Sequence, residues 1–241
     1  MRTFPLYNET ERREGIGLKR AKCLIILCLV LFSSVSCSFF RDPSLAEDYE
    51  NETVLSVLSA DSDGGQACLK ILQMIASDSL VFAEFGDPRS AADGCRDRIL
   101  THLMNTGYSK YTGNTEKISV AEKMYPKLRI SMVIPATDFE YAVYTNFGGS
   151  KSVYHRDGSS FIYLSKIGGY TSSGQVPVGA DEVVLLSVRE TEHTYRADFY
   201  AVNGIRNSPL YTGVFVKRED GSVYLARVRR IADAKINVPS E

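Results

Sequence analysis

The chain has 241 residues, 28 Lys and Arg, 29 Asp and Glu, and a net charge of −1. An apolar fraction of 44% is that of a folded protein and excludes disorder. The near-neutral charge excludes a general nucleic-acid binder, which needs a basic field for phosphates, and five cysteines are too few for a disulfide scaffold.

The first element in chain order is an export signal. Cys23 to Phe32 is a run of ten apolar residues, preceded by Lys19, Arg20 and Lys22 and followed by Ser33-Ser34-Val35-Ser36-Cys37. A basic start, a short apolar stretch and small residues at its exit have this meaning. Ten residues are well short of the roughly 20 that span a bilayer.

The exit resembles the lipobox of a bacterial lipoprotein signal peptide. Val35, Ser36 and Cys37 match its last three positions, while Ser34 stands where that family has Leu or another aliphatic residue. The resemblance implies cleavage before Cys37, acylation of Cys37 (palmitate in the lipid anchor) and attachment to a membrane of the cell envelope. Ser38 is compatible, in that family, with sorting to the outer membrane. Ordinary cleavage near Ser36 and an uncleaved anchor over Ala21 to Phe40 are the competing readings. All three export the chain to the periplasm or beyond.

The expected division is a signal peptide over 1–36, a lipidated N-terminus and short tether over 37–45, and a single α+β domain over 46–241. Six basic and three acidic residues precede Cys37, so the mature chain keeps 22 against 26 and carries −4. Cleavage discards Cys23 and Cys28, and lipidation uses Cys37. Cys68 and Cys95 remain in an oxidising compartment, each on the apolar stripe of a predicted helix. A disulfide between them is expected, with two buried thiols as the alternative.

The mature chain changes character half-way. Residues 46–107 read as helical. A first helix runs through Tyr49 to Leu58 and ends at Asp61-Ser62-Asp63-Gly64-Gly65. A second runs from Gln66 to Phe85, and a third from Pro88 to Met104 after an Asp87 cap, closed by a left-handed Gly107. Residues 118–231 read as β-rich. Leu128 to Ile134 and Phe139 to Phe147 alternate with period two, with hairpin turns at Gly148-Gly149 and Asp157-Gly158. Lys166 to Asp181 reads as a long polar loop. Four strands follow, Val183 to Arg189, Tyr195 to Val202, Leu210 to Lys217 and Ser222 to Val228, with turns at Asn203-Gly204 and Asp220-Gly221. Short connections make these neighbours antiparallel. The expected fold is α+β: N-terminal helices packed on a curved antiparallel meander in the C-terminal half. Its element order is similar to the cystatin and NTF2-type layouts, without a motif of either family.

Chemistry is sparse. His102, His155 and His193 form no metal-ligand spacing, and no nucleophile elbow, phosphate loop or dinucleotide fingerprint occurs. Asp61-x-Asp63-x-Gly65 lacks the remaining ligands of a calcium loop. No catalytic residue, metal or cofactor is expected. Twelve of the fourteen tyrosines lie between Tyr108 and Tyr224. Strand packing accounts for tyrosine by itself, but with Ser and Gly it also makes recognition surfaces. Tyr141, Tyr144, Tyr154, Tyr163, Tyr170 and Tyr211 are the candidate patch. Arg227 and Arg229 share a strand face, where they meet anionic headgroups or glycan, or protect a strand edge.

The expected function is that of a lipid-anchored envelope protein, without enzymatic activity, whose sheet face binds an envelope protein or cell-wall component. A lipid or small-ligand carrier with an apolar pocket, and an envelope hydrolase with an unfamiliar site, are the alternatives.

Overall fold

The computed structural model describes residues 49, 51–76, 81–149, 153–174, 182–204 and 206–232. All belong to one compact unit, Pro43–Glu241. The signal peptide, Cys37 and the tether lie outside the described residues.

The first described strand, β1, is Ser56–Leu58. It stands where the sequence predicts the end of a helix, because its three residues pair with the edge of the main sheet. Asp61 to Gly65 likewise starts a helix and does not end one. The Ser62 hydroxyl accepts from Gly65 N at 3.1 Å and caps α1, Asp63–Ile75. Gly65 is required there, since a Cβ would lie 2.4 Å from the Ala60 carbonyl oxygen. Cys68, Ile71, Leu72 and Ile75 are the buried stripe of α1. The helix stops at Ala76 rather than at Phe85, and Phe85 instead bridges to Val228 of the sheet.

Asp87 caps α2, Pro88–Gly94, as its sequence predicts. The predicted third helix is two: at Cys95 (φ −107°, ψ 8°) the backbone leaves helical geometry, and α3, Arg96–Thr106, follows. Gly107 is not left-handed; its φ is −118°. Two short helices continue, α4, Tyr108–Thr112, and α5, Thr115–Met124.

The largest departure from the sequence reading is at Phe139 to Phe147. This is not a strand but α6, Ala136–Phe147, following the two-residue strand β2, Ile134–Pro135. Phe139, Val143 and Phe147 are buried at spacings of four, which satisfy a period of two as well as one of 3.6. Buried Ala142 and exposed Tyr141 fit only the helix. Gly148, at φ 73°, is therefore a helix C-cap and not a hairpin turn. Of Leu128 to Ile134 only Ile134 joins a ladder; Ile130, Met132 and Val133 are buried without a partner strand, and Arg129 and Ser131 are exposed.

β3, Phe161–Leu164, and β4, Gly169–Ser172, form a hairpin that β2 completes as a three-stranded sheet. The turn at Lys166 to Gly168, with Gly168 at φ 60°, lies inside the stretch predicted to be all loop. The rest of that loop, 175–181, lies outside the described residues.

The main sheet matches the predicted meander: β5, Glu182–Glu190; β6, Thr194–Asn203; β8, Leu210–Lys217; and β9, Val223–Ala232. A two-residue strand β7, Arg206–Asn207, pairs with β6. The order is β1-β5-β6-β8-β9, all antiparallel. Glycines 204 and 221 take positive φ at the predicted turns. The inner face presents Ala197, Phe199, Tyr211, Phe215, Leu225 and Val228 to Leu72, Phe82, Ile99 and Phe147 of the helical layer, and the fold is α+β.

Cys68 and Cys95 are free thiols inside this core, so the expected disulfide is not formed. Each acts as a small apolar side chain. Burial in apolar surroundings pushes both thiols up to about 12, which makes them inert.

Candidate functional site

Two clefts gather charged side chains, and they differ in charge balance. The larger, about 610 Å³, lies where α2 and α3 meet the 156–160 loop. Three carboxylates, Asp93, Asp97 and Asp157, line it with three guanidiniums, Arg96, Arg98 and Arg156. Most of these charges are spent on the loop itself. Asp97 accepts from Ser159 N at 2.8 Å and from Ser159 Oγ at 2.5 Å. Buried Arg96 donates to Asp93 at 2.6 Å and to the Tyr154 carbonyl at 3.0 Å. Asp157 accepts from Tyr163 N at 2.7 Å.

His155 belongs to the same brace. Its Nδ1 is 2.9 Å from the Tyr170 hydroxyl and its Nε2 is 2.9 Å from Glu140. Burial holds the Tyr170 phenol up at about 12, although Arg96 pulls the other way, so it stays a donor. Nδ1 then accepts and Nε2 donates to Glu140. Tyr163 stacks on the ring at 5.0 Å. With both nitrogens engaged, His155 holds the loop to α6 and β4.

The smaller cleft, about 340 Å³, lies on the outer face of the main sheet. Strand register builds it. Val57, Arg189, Arg196, Val214 and Arg227 form one row across β1, β5, β6, β8 and β9. Ser187, Asp198, Thr212 and Arg229 form the next. Two β-bulges set which way the arginines point. The register shifts between Leu185 and Ser187 on β5, and on β9 Ala226 is the extra residue opposite Val214 and Phe215. Without them, simple alternation from Leu185 and Leu225 would turn Arg189, Arg227 and Arg229 toward the core.

Among the described residues of these two rows, four guanidiniums face one carboxylate, Asp198. Asp198 accepts from Arg189 at 2.9 and 2.7 Å and from Ser187 Oγ at 3.0 Å. Arg189 and Arg196 are directly opposite one another, a like-charge pair that costs stability in a sheet. Tyr49 and Asn51 wall the groove, and Arg196 donates to the Tyr49 carbonyl. Tyr49 packs on Val214, Val216, Tyr224 and Ala226 of the same face. Glu52 ties this wall to the β5–β6 turn. Burial acts to raise its carboxyl, but hydrogen bonds from Thr191 and His193 outweigh that and hold it below its ordinary value.

The predicted tyrosine patch is not one surface. Tyr170 and Tyr211 are core residues, 0% and 2% exposed, because strand alternation turns them inward. Tyr163 supports His155, Tyr144 lies beside Arg218, and Tyr141 and Tyr154 are exposed. Arg227 and Arg229 do share a strand face, as predicted; Arg189 and Arg196, which complete the groove, become visible only with the hairpin register. Among the described residues no group of three or more His, Cys, Asp or Glu is placed to hold a metal ion. Comparison with protein-family models, with curated proteins and with solved structures returns no match.

Proposed function

We propose that this is a lipid-anchored protein of the bacterial cell envelope whose domain binds an anionic envelope component on the outer face of its main sheet. The gathering of four guanidiniums into one groove by strand register carries the reading. Planar guanidiniums bind carboxylate and phosphate through paired hydrogen bonds, and a bound anion relieves the repulsion between Arg189 and Arg196. The partner classes are an acidic envelope protein surface and cell-wall material bearing carboxylates or phosphates. The lipobox-like ending at Cys37 supports the anchoring, and no helix among the described residues is long and apolar enough to cross a membrane.

One observation weighs against the carrier. Phe82, Phe199, Tyr211 and Phe215 fill the space beneath the sheet where a carrier would place its ligand.

A photo-crosslinking residue in place of Thr212, on the groove wall, tests the proposal in cells. Capture of an anionic component is expected, and it should fall in Arg196→Gln and Arg229→Gln backgrounds. Capture that ignores both substitutions rejects the anionic site. Anchoring is tested separately: Cys37→Ala should abolish incorporation of labelled fatty acid.

A further inference from the structure

We infer that the outer edge of β1 pairs antiparallel with β1 of a second copy of this chain, so that two main sheets join into one.

The two ends of the main sheet, β1 and β9, differ. The β9 edge is covered. Phe85 and Val228 exchange backbone hydrogen bonds at 3.1 and 3.0 Å, and Glu84 accepts from Arg230 N at 3.0 Å. Among the described residues no strand continues the sheet beyond β1. Alternate residues of an antiparallel edge strand turn N–H and C=O outward, where they are a template for another strand. Charge, proline or a bulge commonly guards such an edge. Thr53 to Ala60 has no charged residue and no proline, and β1 keeps its register with β5 over all three residues.

The side chains at this edge are apolar and open. Leu55 is 66% exposed, Val57 71% and Val54 43%. The strand that carries them is held in place from behind. Ser56 Oγ donates to Glu190 at 2.9 Å, and the other oxygen of Glu190 accepts from Lys217 Nζ at 2.7 Å. An ordered apolar edge needs no rearrangement before another strand is added, which lowers the cost of binding.

The repeat Val54-Leu55-Ser56-Val57-Leu58 makes the edge complementary to itself. A two-fold axis through Ser56 sets Leu55 of each copy opposite Val57 of the other, and Val54 opposite Leu58. Apolar side chains then meet on both faces of the joined sheet, as stable cross-strand pairs do. The nearest charged residues, Glu52 and Asp61, lie opposite Ala60 and Asn51, so no like charges meet. Neighbouring registers fit less well: centring on Val57 sets Leu58 against Ser56, and centring on Leu55 sets it against Glu52. A foreign strand would have to match this pattern, whereas every copy of the chain carries it. Five paired residues are a small contact beside the about 1,200 Å² that stable interfaces bury. The association is therefore transient in dilute solution, and covalent trapping in cells is the measurement that registers it.

The test uses the full chain. Leu55→Cys and a tagged Val57→Cys are produced in the same cells and mildly oxidised, and the disulfide joining positions 55 and 57 of two chains is identified by peptide mass. Directly opposite residues lie within disulfide reach. Two copies of position 55, two residues apart along the strands, are about 8 Å apart and outside it. The mixed pair should therefore give severalfold more disulfide than Leu55→Cys alone or Val57→Cys alone. Adding Val54→Lys to both chains should lower the yield severalfold, since lysine guards an edge, and Val54→Thr should keep most of it. A yield no higher than that of Leu55→Cys mixed with Tyr108→Cys, an exposed position on α4, marks random collision and overturns the inference. Val57→p-benzoylphenylalanine gives a second reading without cysteine. A product of two copies of this chain is expected, with its crosslink at β1. Capture of a different protein alone shows that the edge takes a foreign strand and that the choice of a second copy is wrong.

Discussion

The two charged clefts teach that size and function part company in this molecule. The larger one is lined by equal numbers of carboxylates and guanidiniums, most of them bonded to their own loop. The smaller one is lined by four arginines on three strands, and among the described residues of the two rows Asp198 is the one carboxylate. A balanced cleft is stabilised by its own charges. The groove instead sets Arg189 and Arg196 side by side in register. The first should therefore behave in experiments as structure, the second as a binding surface.

The largest effect should come from the balanced cleft. Replacing buried Arg96 by Met leaves Asp93 and the Tyr154 carbonyl without their donor. Denaturant unfolding should register a loss of about 3 kcal/mol, the low end for breaking a buried pair because Asp93 is partly exposed. Capture of the anionic component from position 212 should persist in the folded fraction. Asp97→Ala removes the acceptor of Ser159 and should cost about 2 kcal/mol, again without moving the binding readout. A binding defect in either variant that exceeds its loss of folded protein would erase the distinction between the clefts.

Substitutions in the groove should have the opposite signature. Asp198→Asn removes the carboxylate from the rows and should strengthen capture of the anionic component several-fold, whereas Arg229→Gln weakens it. Exposed Arg229 should change stability by less than about 0.5 kcal/mol. Opposite signs at two positions of one cross-strand row are hard to produce by a general change in folding. The smallest effect concerns the groove wall. Glu52 has its carboxyl held below the ordinary value of 4.5 in the folded chain. Its contribution is complete above 4.5 and disappears as pH falls through the lowered value. Wild type should therefore lose more stability on acidification below 4.5 than Glu52→Gln does, measured by thermal unfolding.

The core thiols give an independent check. Cys68 and Cys95 are pushed up to about 12 by burial, so thiol-reactive mass tags should not modify them in native protein at neutral pH. Both should be modified once the unreduced chain is denatured. Failure to react after denaturation would reinstate the disulfide.

Much of the C-terminal sheet was legible from the amino acids. The four strands between Val183 and Val228 are marked by apolar runs separated by turns, and Asn203-Gly204 and Asp220-Gly221 supply the positive φ that tight turns need. The Asp87-Pro88 cap was equally readable, because its hydrogen bonds are local. The segment from Phe139 to Phe147 was not, since residues four apart obey both periods and only Ala142 and Tyr141 break the tie. Ser56–Leu58 is too short to carry a pattern, and its strand exists because β5 offers an edge. Of the candidate site, Arg227 and Arg229 were noted together, but tyrosine composition drew attention to residues that the fold buries.

By itself, then, the sequence determined the α+β class and the order of the meander. These depend on composition, on alternation and on turn chemistry within a few residues. Tertiary structure decided which face the arginines occupy. That face is set by pairing across five strands and by one extra residue in each of two strands, and a one-residue shift reverses every side chain after it.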